Sequence, residues 1–250
     1  LAGITNKAKI LSKSNFPIAA GLASSASGFA ALTLAATRAA GIQMSEKELT
    51  ILARMGSGSA SRSICKGFVE WHRGTRKDGK DSYAESIADK NYWPRFRMIT
   101  TIVTESKKKV SSRSGMAQTV NTSPYYDGWL KSVENDLNKV RNGIKKRDFP
   151  VVGTVAEENC LKMHALMIST KPSIAYWQPA TAEIINAVMQ WRDEGISCYF
   201  TIDAGPNVKV MCMQKDGKEL TRRLLALKGV KRTILCKPGP GAEIIDRHLF

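Results

Sequence analysis

Four short segments carry side chains suited to holding and moving a phosphoryl group. In the first, Pro17-Ile18-Ala19-Ala20-Gly21-Leu22-Ala23-Ser24-Ser25-Ala26-Ser27, a glycine and small residues open a helix. The unpaired N–H groups and dipole of a helix start favour an anion, and small side chains let it approach the backbone. The run lacks the Gly-Lys-Ser/Thr ending of a P-loop, and a tightly packed helix start capped by Ser24 or Ser25 also accounts for it. In the second segment, Gly56-Ser57-Gly58-Ser59-Ala60-Ser61-Arg62-Ser63, alternating hydroxyls end on a guanidinium that can pair bidentately with a carboxylate or phosphate. A flexible serine linker is the plainer reading, but the segment is short and bounded by apolar stretches. The third, Ser111-Ser112-Arg113-Ser114-Gly115-Met116, repeats hydroxyls with a guanidinium behind Lys107-Lys108-Lys109; by itself it is also an ordinary basic loop. The fourth, Thr201-Ile202-Asp203-Ala204-Gly205-Pro206-Asn207, sets a carboxylate at a strand end ahead of turn residues. His164 reads as a helix histidine with a satisfied partner. Anion-binding loops with one poised carboxylate point to phosphoryl transfer to or from a small polyanion. Such a reaction rests on positioning and charge neutralisation, with a base for a hydroxyl proton.

The elements that must position these groups follow from spacing. Ser24–Ala40 reads as a small-residue helix ending at Gly41, and Ser45 with Glu48 makes a capping box for a helix over Glu46–Met55. Lys9–Ser12 reads as the tail of a strand, Asn15–Gly21 as a turn and Gly56–Ser63 as a loop. Strands are expected at Gly67–Trp71, Phe96–Thr104, Cys198–Thr201, Val208–Met213 and Arg232–Cys236. Helices are expected at Tyr125–Asn142, Asp148–Leu166, Thr181–Glu194 and Glu219–Leu227, with turns at Arg73–Asp81 and Pro238–Gly241. Helices and strands mix without a strict βαβ rhythm, which favours α+β over a doubly wound sheet. A seam near Asn91–Arg97 gives two lobes, residues 1–94 and 95–250.

The 250 residues include 38 Lys and Arg against 22 Asp and Glu, a formal charge of +16. That excess permits nucleic acid, an acidic membrane surface or a polyanionic small substrate, besides a merely solvated surface. The basic residues are scattered, and neither triplet, Lys107–Lys109 or Lys145–Arg147, carries interleaved aromatics, so nucleic acid is not favoured. With 43% hydrophobic and 24% charged residues the chain is neither disordered nor fibrous. Five cysteines without close spacing exclude a zinc ribbon, argue against a disulfide scaffold and suit a reducing compartment. Residues 14–37 are uncharged, but their glycines, serines and threonines suit a loop and buried helix better than a membrane span. Leu1–Leu11 lacks the apolar core of a signal peptide, and a start at Leu1 instead of Met leads us to expect a preceding segment.

The strings NFPIAAGLASSASGFAAL, ARMGSGSASRS, GFVEW, SSRSGM, NTSP and TIDAGPN occur in that order. Together they resemble the mevalonate diphosphate decarboxylase family of the GHMP small-molecule kinase superfamily, from about residue 9 to 250. The resemblance implies an α+β fold with a ribosomal-S5-domain-2-like N-terminal lobe for ATP and substrate and a ferredoxin-like C-terminal lobe, in a cytosolic homodimer. It implies phosphorylation by ATP of the tertiary 3-hydroxyl of mevalonate 5-diphosphate. Loss of that phosphate and of CO2 then gives isopentenyl diphosphate. Carried over by position, Asp203, Arg62 and Ser59 would be the catalytic set, with Asp203 orienting or deprotonating the hydroxyl and Arg62 holding the substrate carboxylate, and Ser57, Gly58, Ser59, Ala60 and Ser61 would line the substrate. Ser112, Arg113, Met116 and Thr122 would serve the diphosphate end, and Gly21, Leu22, Ala23, Ser24, Ser25 and Ala26 would cradle the phosphates of ATP with Mg²⁺. Two departures accompany the resemblance. The family carries, ahead of the matched part, a strand segment with a Tyr-Trp-Gly-Lys motif, and this chain begins after it, so the N-terminal lobe is expected to lack its opening strands. Lys66-Gly67 stands where the family has Gly-Gly, so Lys66 is expected to take negative φ or to bear about 1 kcal/mol of strain. A mevalonate 3-kinase without decarboxylation and a non-catalytic ligand-binding relative are the alternatives.

Overall fold

The computed structural model describes residues 3, 7–16, 22–106, 109–247 and 249. One unit is built on Ala23–Tyr92 and Pro238–Phe250, a second on Trp93–Lys237. In the first, α1 (Ser24–Ala39) ends at Gly41, whose φ of 68° is the left-handed turn expected there. The N–H of Ile42 reaches the Thr37 carbonyl at 2.9 Å to close that end. Ser45 and Glu48 exchange both bonds of a capping box before α2 (Glu46–Gly56), as their spacing predicts. A short helix α3 (Ala60–Ile64) follows, then an antiparallel hairpin of β1 (Phe68–Trp71) and β2 (Ala84–Ala88). The three helices meet over Ala30, Ala53, Ala60 and Ile64, and the three alanines allow close approach.

Two expectations change in this unit, and the negative φ expected as one alternative for Lys66 is found. The loop expected over residues 56–63 shrinks to the turn at 57–59: Gly56 ends α2, and Ala60 and Ile64, one helical turn apart and both buried, favour a helix from Ala60. Residues 9–12 form no strand; Ile10 is 67% exposed, and without a ladder partner among the described residues the segment has nothing to bury against. Lys66 bears no strain: Gly67 takes the positive φ of 72°, and Lys66 keeps an ordinary backbone and pairs with Asp89 at 3.4 Å. The turn expected at Asn15–Gly21 lies partly outside the described residues, as do Lys107 and Lys108.

The second unit is a four-stranded antiparallel sheet in the order β4-β5-β3-β6, formed by β3 (Phe96–Ile102), β4 (Cys198–Ile202), β5 (Val208–Met213) and β6 (Arg232–Cys236). Between β3 and β4 run α4 (Ser112–Thr122), α5 (Tyr126–Lys146), α6 (Phe149–Ile168) and α7 (Pro179–Asp193), and α8 (Gly217–Ala226) joins β5 to β6. The first and third strands are neighbours at the centre, which is the ferredoxin-like order. Alternation along the strands sends Ile99, Phe200, Ile202, Val208 and Val210 into one core with Ile184 and Val188 of α7 and Leu220 and Leu224 of α8. Asp148 caps α6 by accepting from the Val151 N–H at 3.2 Å, with Pro150 in the first turn where its missing N–H costs nothing. The five cysteines are unbonded thiols, four of them buried. Among the described residues no helix is long and apolar enough to cross a membrane.

β4 is an edge strand, and α6 and α7 satisfy its outward backbone groups. Glu157 accepts from the Phe200 N–H at 3.0 Å, and Cys160 Sγ accepts from the Ile202 N–H at 3.1 Å. His164 Nε2 lies 3.2 Å from the Ile202 carbonyl, and Arg192 donates to the Cys198 carbonyl at 3.0 Å. Close seating of α6 requires Gly153, where an added Cβ would lie 2.1 Å from the Tyr199 ring, itself edge-on to Phe149. Gly153→Ala is therefore expected to cost about 1–3 kcal/mol of unfolding free energy, measured by urea denaturation.

Candidate active site

In the first unit the structure joins the first two motifs. Ser25 Oγ lies 3.1 Å from Ser57 Oγ, linking the start of α1 to the end of α2. The residue before α1 is Ala23, not a capping serine; it takes a left-handed φ of 53° with no side-chain capping bond among the described residues, and the first turn holds no acid. That leaves the positive end of the dipole without a carboxylate from its own first turn. Ala26 is buried, Ser25 exposed and Leu22 half-buried, while Gly21 lies outside the described residues.

Ser57 ends α2 and Ser59 precedes α3 without a side-chain capping bond. Gly58 fits edge-on beneath Trp71, since a Cβ there would lie 2.7 Å from the indole ring. The Ser61 hydroxyl is buried and donates to the Gly58 carbonyl at 2.8 Å, and Ala60 is fully buried, so both shape the turn from inside. Arg62 is exposed, with its guanidinium over the Trp71 ring at 5.8 Å. Trp71 is fixed in turn by its bond to Ser82, whose backbone is held by Arg54.

In the second unit the SSRSGM motif is not a loop but the start of α4. Ser111 caps it by accepting from the Ser114 N–H at 3.1 Å, and the buried pair Gly115 and Thr119 turn one face inward. An added Cβ at Gly115 would lie 2.8 Å from the Tyr176 hydroxyl, which donates to the Val110 carbonyl. Ser112 and Arg113 thus stand at the positive end of a helix, and Met116 is exposed one turn on. Thr122 stands at the far end of α4, roughly 14 Å along the axis from Arg113. Its hydroxyl donates to the Gln118 carbonyl and accepts from the Lys171 N–H.

Asp203 follows directly on β4, with its side chain 61% exposed and its carboxylate 2.6 Å from Lys209 Nζ. Lys209 was not among the sequence candidates, yet a lone lysine in the apolar run Val-Lys-Val-Met-Cys-Met was the available signal. Its side chain is only 10% exposed, and a strand lysine at that depth implies an acidic partner. Asn207 is fully buried: its Oδ1 accepts from Val103 and Thr104 N–H groups and its Nδ2 donates to the Thr104 carbonyl. The Thr181 hydroxyl donates to the Pro206 carbonyl at 2.8 Å. Ala204 shares a hydrophobic cluster with Val110, Ile174 and Tyr176, which brings the aspartate turn and the approach to α4 together.

Behind Asp203 lies a cavity of about 280 Å³ lined by Val133, Asp136, Asn159, Met163 and Thr201 among others. Burial pushes the Asp136 carboxyl up, but bonds from Lys162 and Asn159 outweigh it and leave it below the usual carboxylate range. Among the described residues no group of three or more His, Cys, Asp or Glu side chains is arranged to hold a metal ion.

A model of the diphosphomevalonate decarboxylase-like N-terminal domain matches residues 1–84, and one of the mevalonate 5-diphosphate decarboxylase C-terminal domain matches residues 98–244. The chain belongs to that family. Its fold is the GHMP kinase fold. Diphosphomevalonate decarboxylase mvd1 of Aspergillus fumigatus is 37% identical over 224 residues, covering 88% of this chain and 55% of that protein. The Homo sapiens relative is 36% identical over 283 residues, covering 98% and 70%. The mevalonate diphosphate decarboxylase structure from Enterococcus faecalis superposes with a TM-score of 0.81 at 43% identity, covering 90% of this chain and 68% of that one. The chain spans just over half the length of the first fungal relatives it matches.

His164 offers a pH test of the clamp beneath Asp203. Burial pushes its ring below the ordinary value of 6.5. As pH falls through 6.5 the unfolded chain takes up a proton that the folded chain refuses, so stability present above that pH is lost below it. Urea unfolding at pH 7.5, 6.5 and 5.5 should show this loss, and His164→Gln should reduce it.

Proposed function

We propose that the chain catalyses ATP-dependent decarboxylation of mevalonate 5-diphosphate to isopentenyl diphosphate, with ADP, phosphate and CO2. The observation that carries this reading is a strand-end carboxylate, Asp203, held 2.6 Å from a buried lysine ammonium. The names of its relatives support it, as does a structural neighbour described as MDDEF in complex with MVAPP, AMPPCP and magnesium, 44% identical with a TM-score of 0.83.

In this reading Asp203 accepts the proton of the 3-hydroxyl as that oxygen forms a bond to the γ-phosphorus and ADP leaves. The 3-phosphate then departs with its C–O electron pair. The bond to the carboxylate breaks, releasing CO2, and its electrons form the double bond. Arg62 holds the substrate carboxylate through paired N–H donors, flanked by Ser57, Gly58 and Ser59, while Ala60 and Ser61 support that turn. Ser112 and Arg113 take the diphosphate end at the start of α4, where helix dipole and guanidinium act in the same sense. Met116 borders them, and Thr122 keeps the far end of that helix in place. Leu22 to Ala26, with Gly21, take the nucleotide phosphates at the start of α1. Among the described residues there is no acidic cage, and the hydroxyls of Ser24 and Ser25 would help hold magnesium carried on the nucleotide's own phosphates. When bound, magnesium spreads the charge of the phosphate oxygens. The first unit is then the ATP and substrate lobe and the second the C-terminal lobe, in a cytoplasmic homodimer.

Wild-type chain given ATP and mevalonate 5-diphosphate should release ADP, phosphate and CO2 in equal amounts. Asp203→Asn should lower kcat by a factor on the order of 10³ with KM little changed. Arg62→Gln should raise the substrate KM about tenfold or more. A stable 3-phosphorylated product without CO2 would make the chain a kinase, and ATP binding by calorimetry without turnover would make it a non-catalytic relative.

A further inference from the structure

Lys209 stands within β5, directly opposite Thr100 of β3 and Thr201 of β4, with its side chain 10% exposed. Val208 and Val210 on either side of it are fully buried in the sheet core. Taking an ammonium out of water is costly, and a carboxylate that is 61% exposed is screened by solvent and returns only part of that cost. An apolar side chain of similar length would lie along Thr100 and Thr201 without the penalty, so sheet stability gives no reason for a lysine.

The neighbouring anchors act on backbone. Cys160 and His164 hold Ile202, Asn207 holds the end of β3, and Thr181 holds Pro206. None of those bonds reaches the Asp203 carboxylate, whereas Lys209 does. We propose that Lys209 is a positioning residue, whose buried ammonium holds the anionic side chain at position 203 in one orientation at the expense of sheet stability. This rests on the proton-accepting role given to Asp203 above.

Lys209→Met tests it. The expected result is kcat lower by about 10- to 100-fold, KM for either substrate changed less than about threefold, and a melting temperature unchanged or higher. On an Asp203→Asn background the same substitution should change kcat less than about twofold, because the group it positions is gone. A second readout needs no turnover. An Asp203→Cys chain should react with iodoacetamide at pH 7 about tenfold faster than the same chain carrying Lys209→Met, because the ammonium favours the thiolate; the parent chain supplies the background from Cys236. Equal alkylation rates would overturn the proposal, as would a lowered melting temperature with the same kcat loss in both backgrounds. If wild-type chain releases no ADP or CO2, the proposed activity fails while the alkylation rates still decide the role of Lys209.

Discussion

The unpaired edge of β4 is the constraint on which the second unit turns. An edge strand presents N–H and C=O groups that must be satisfied, and here the partner is not another strand but side chains of α6 and α7. Glu157, Cys160 and His164, on one face of α6, meet Phe200 and Ile202 in succession, and Arg192 completes the set while pairing with Glu157 at 2.9 Å. The clamp runs along β4 to its end, and Asp203 is the first residue beyond the strand. Its backbone is fixed and its side chain is open to solvent.

From there the chain must turn back into β5 within five residues, and buried polar groups determine how. Asn207 is enclosed completely, and leaving its amide unsatisfied would cost about 1–3 kcal/mol. Its bonds to Val103 and Thr104 meet that demand and tie the turn to the end of β3. Lys209 enters two residues later and reaches back to the carboxylate. A bonded turn, an exposed carboxylate and a buried ammonium therefore arise from a few neighbouring residues. In the first unit alanines bring three helices close, and Trp71 packs against both Gly58 and Arg62.

Much of this was legible in the residues. The capping box at Ser45, the left-handed glycine after α1, the alternation in β3 and the amphipathic α7 are local patterns, and each element formed where its pattern lay. Of the two serine-rich segments, 56–63 reads as a loop and 111–116 is open to that reading, yet each contributes to a helix. Serine disfavours helix interiors by competing for the backbone, but burial of Ala60 with Ile64, and of Gly115 with Thr119, outweighs that preference. β2 escaped notice because Ala-Glu-Ser-Ile-Ala is a weak strand sequence that forms by pairing with β1.

The sequence by itself determined the chemistry on offer: two arginines among hydroxyls, a small-residue helix start and an acid at a strand end, in an order that marks one family. Those features are local, and local spacing encodes them. Only the tertiary structure decided which groups meet. It turned the Ser61 and Thr122 hydroxyls to backbone partners, joined Ser25 to Ser57 across 32 positions, and buried Lys209 against Asp203. The physical reason is that burial and pairing are set by neighbours brought together in space. A lysine in an apolar strand signals a missing partner, and only the fold supplies it.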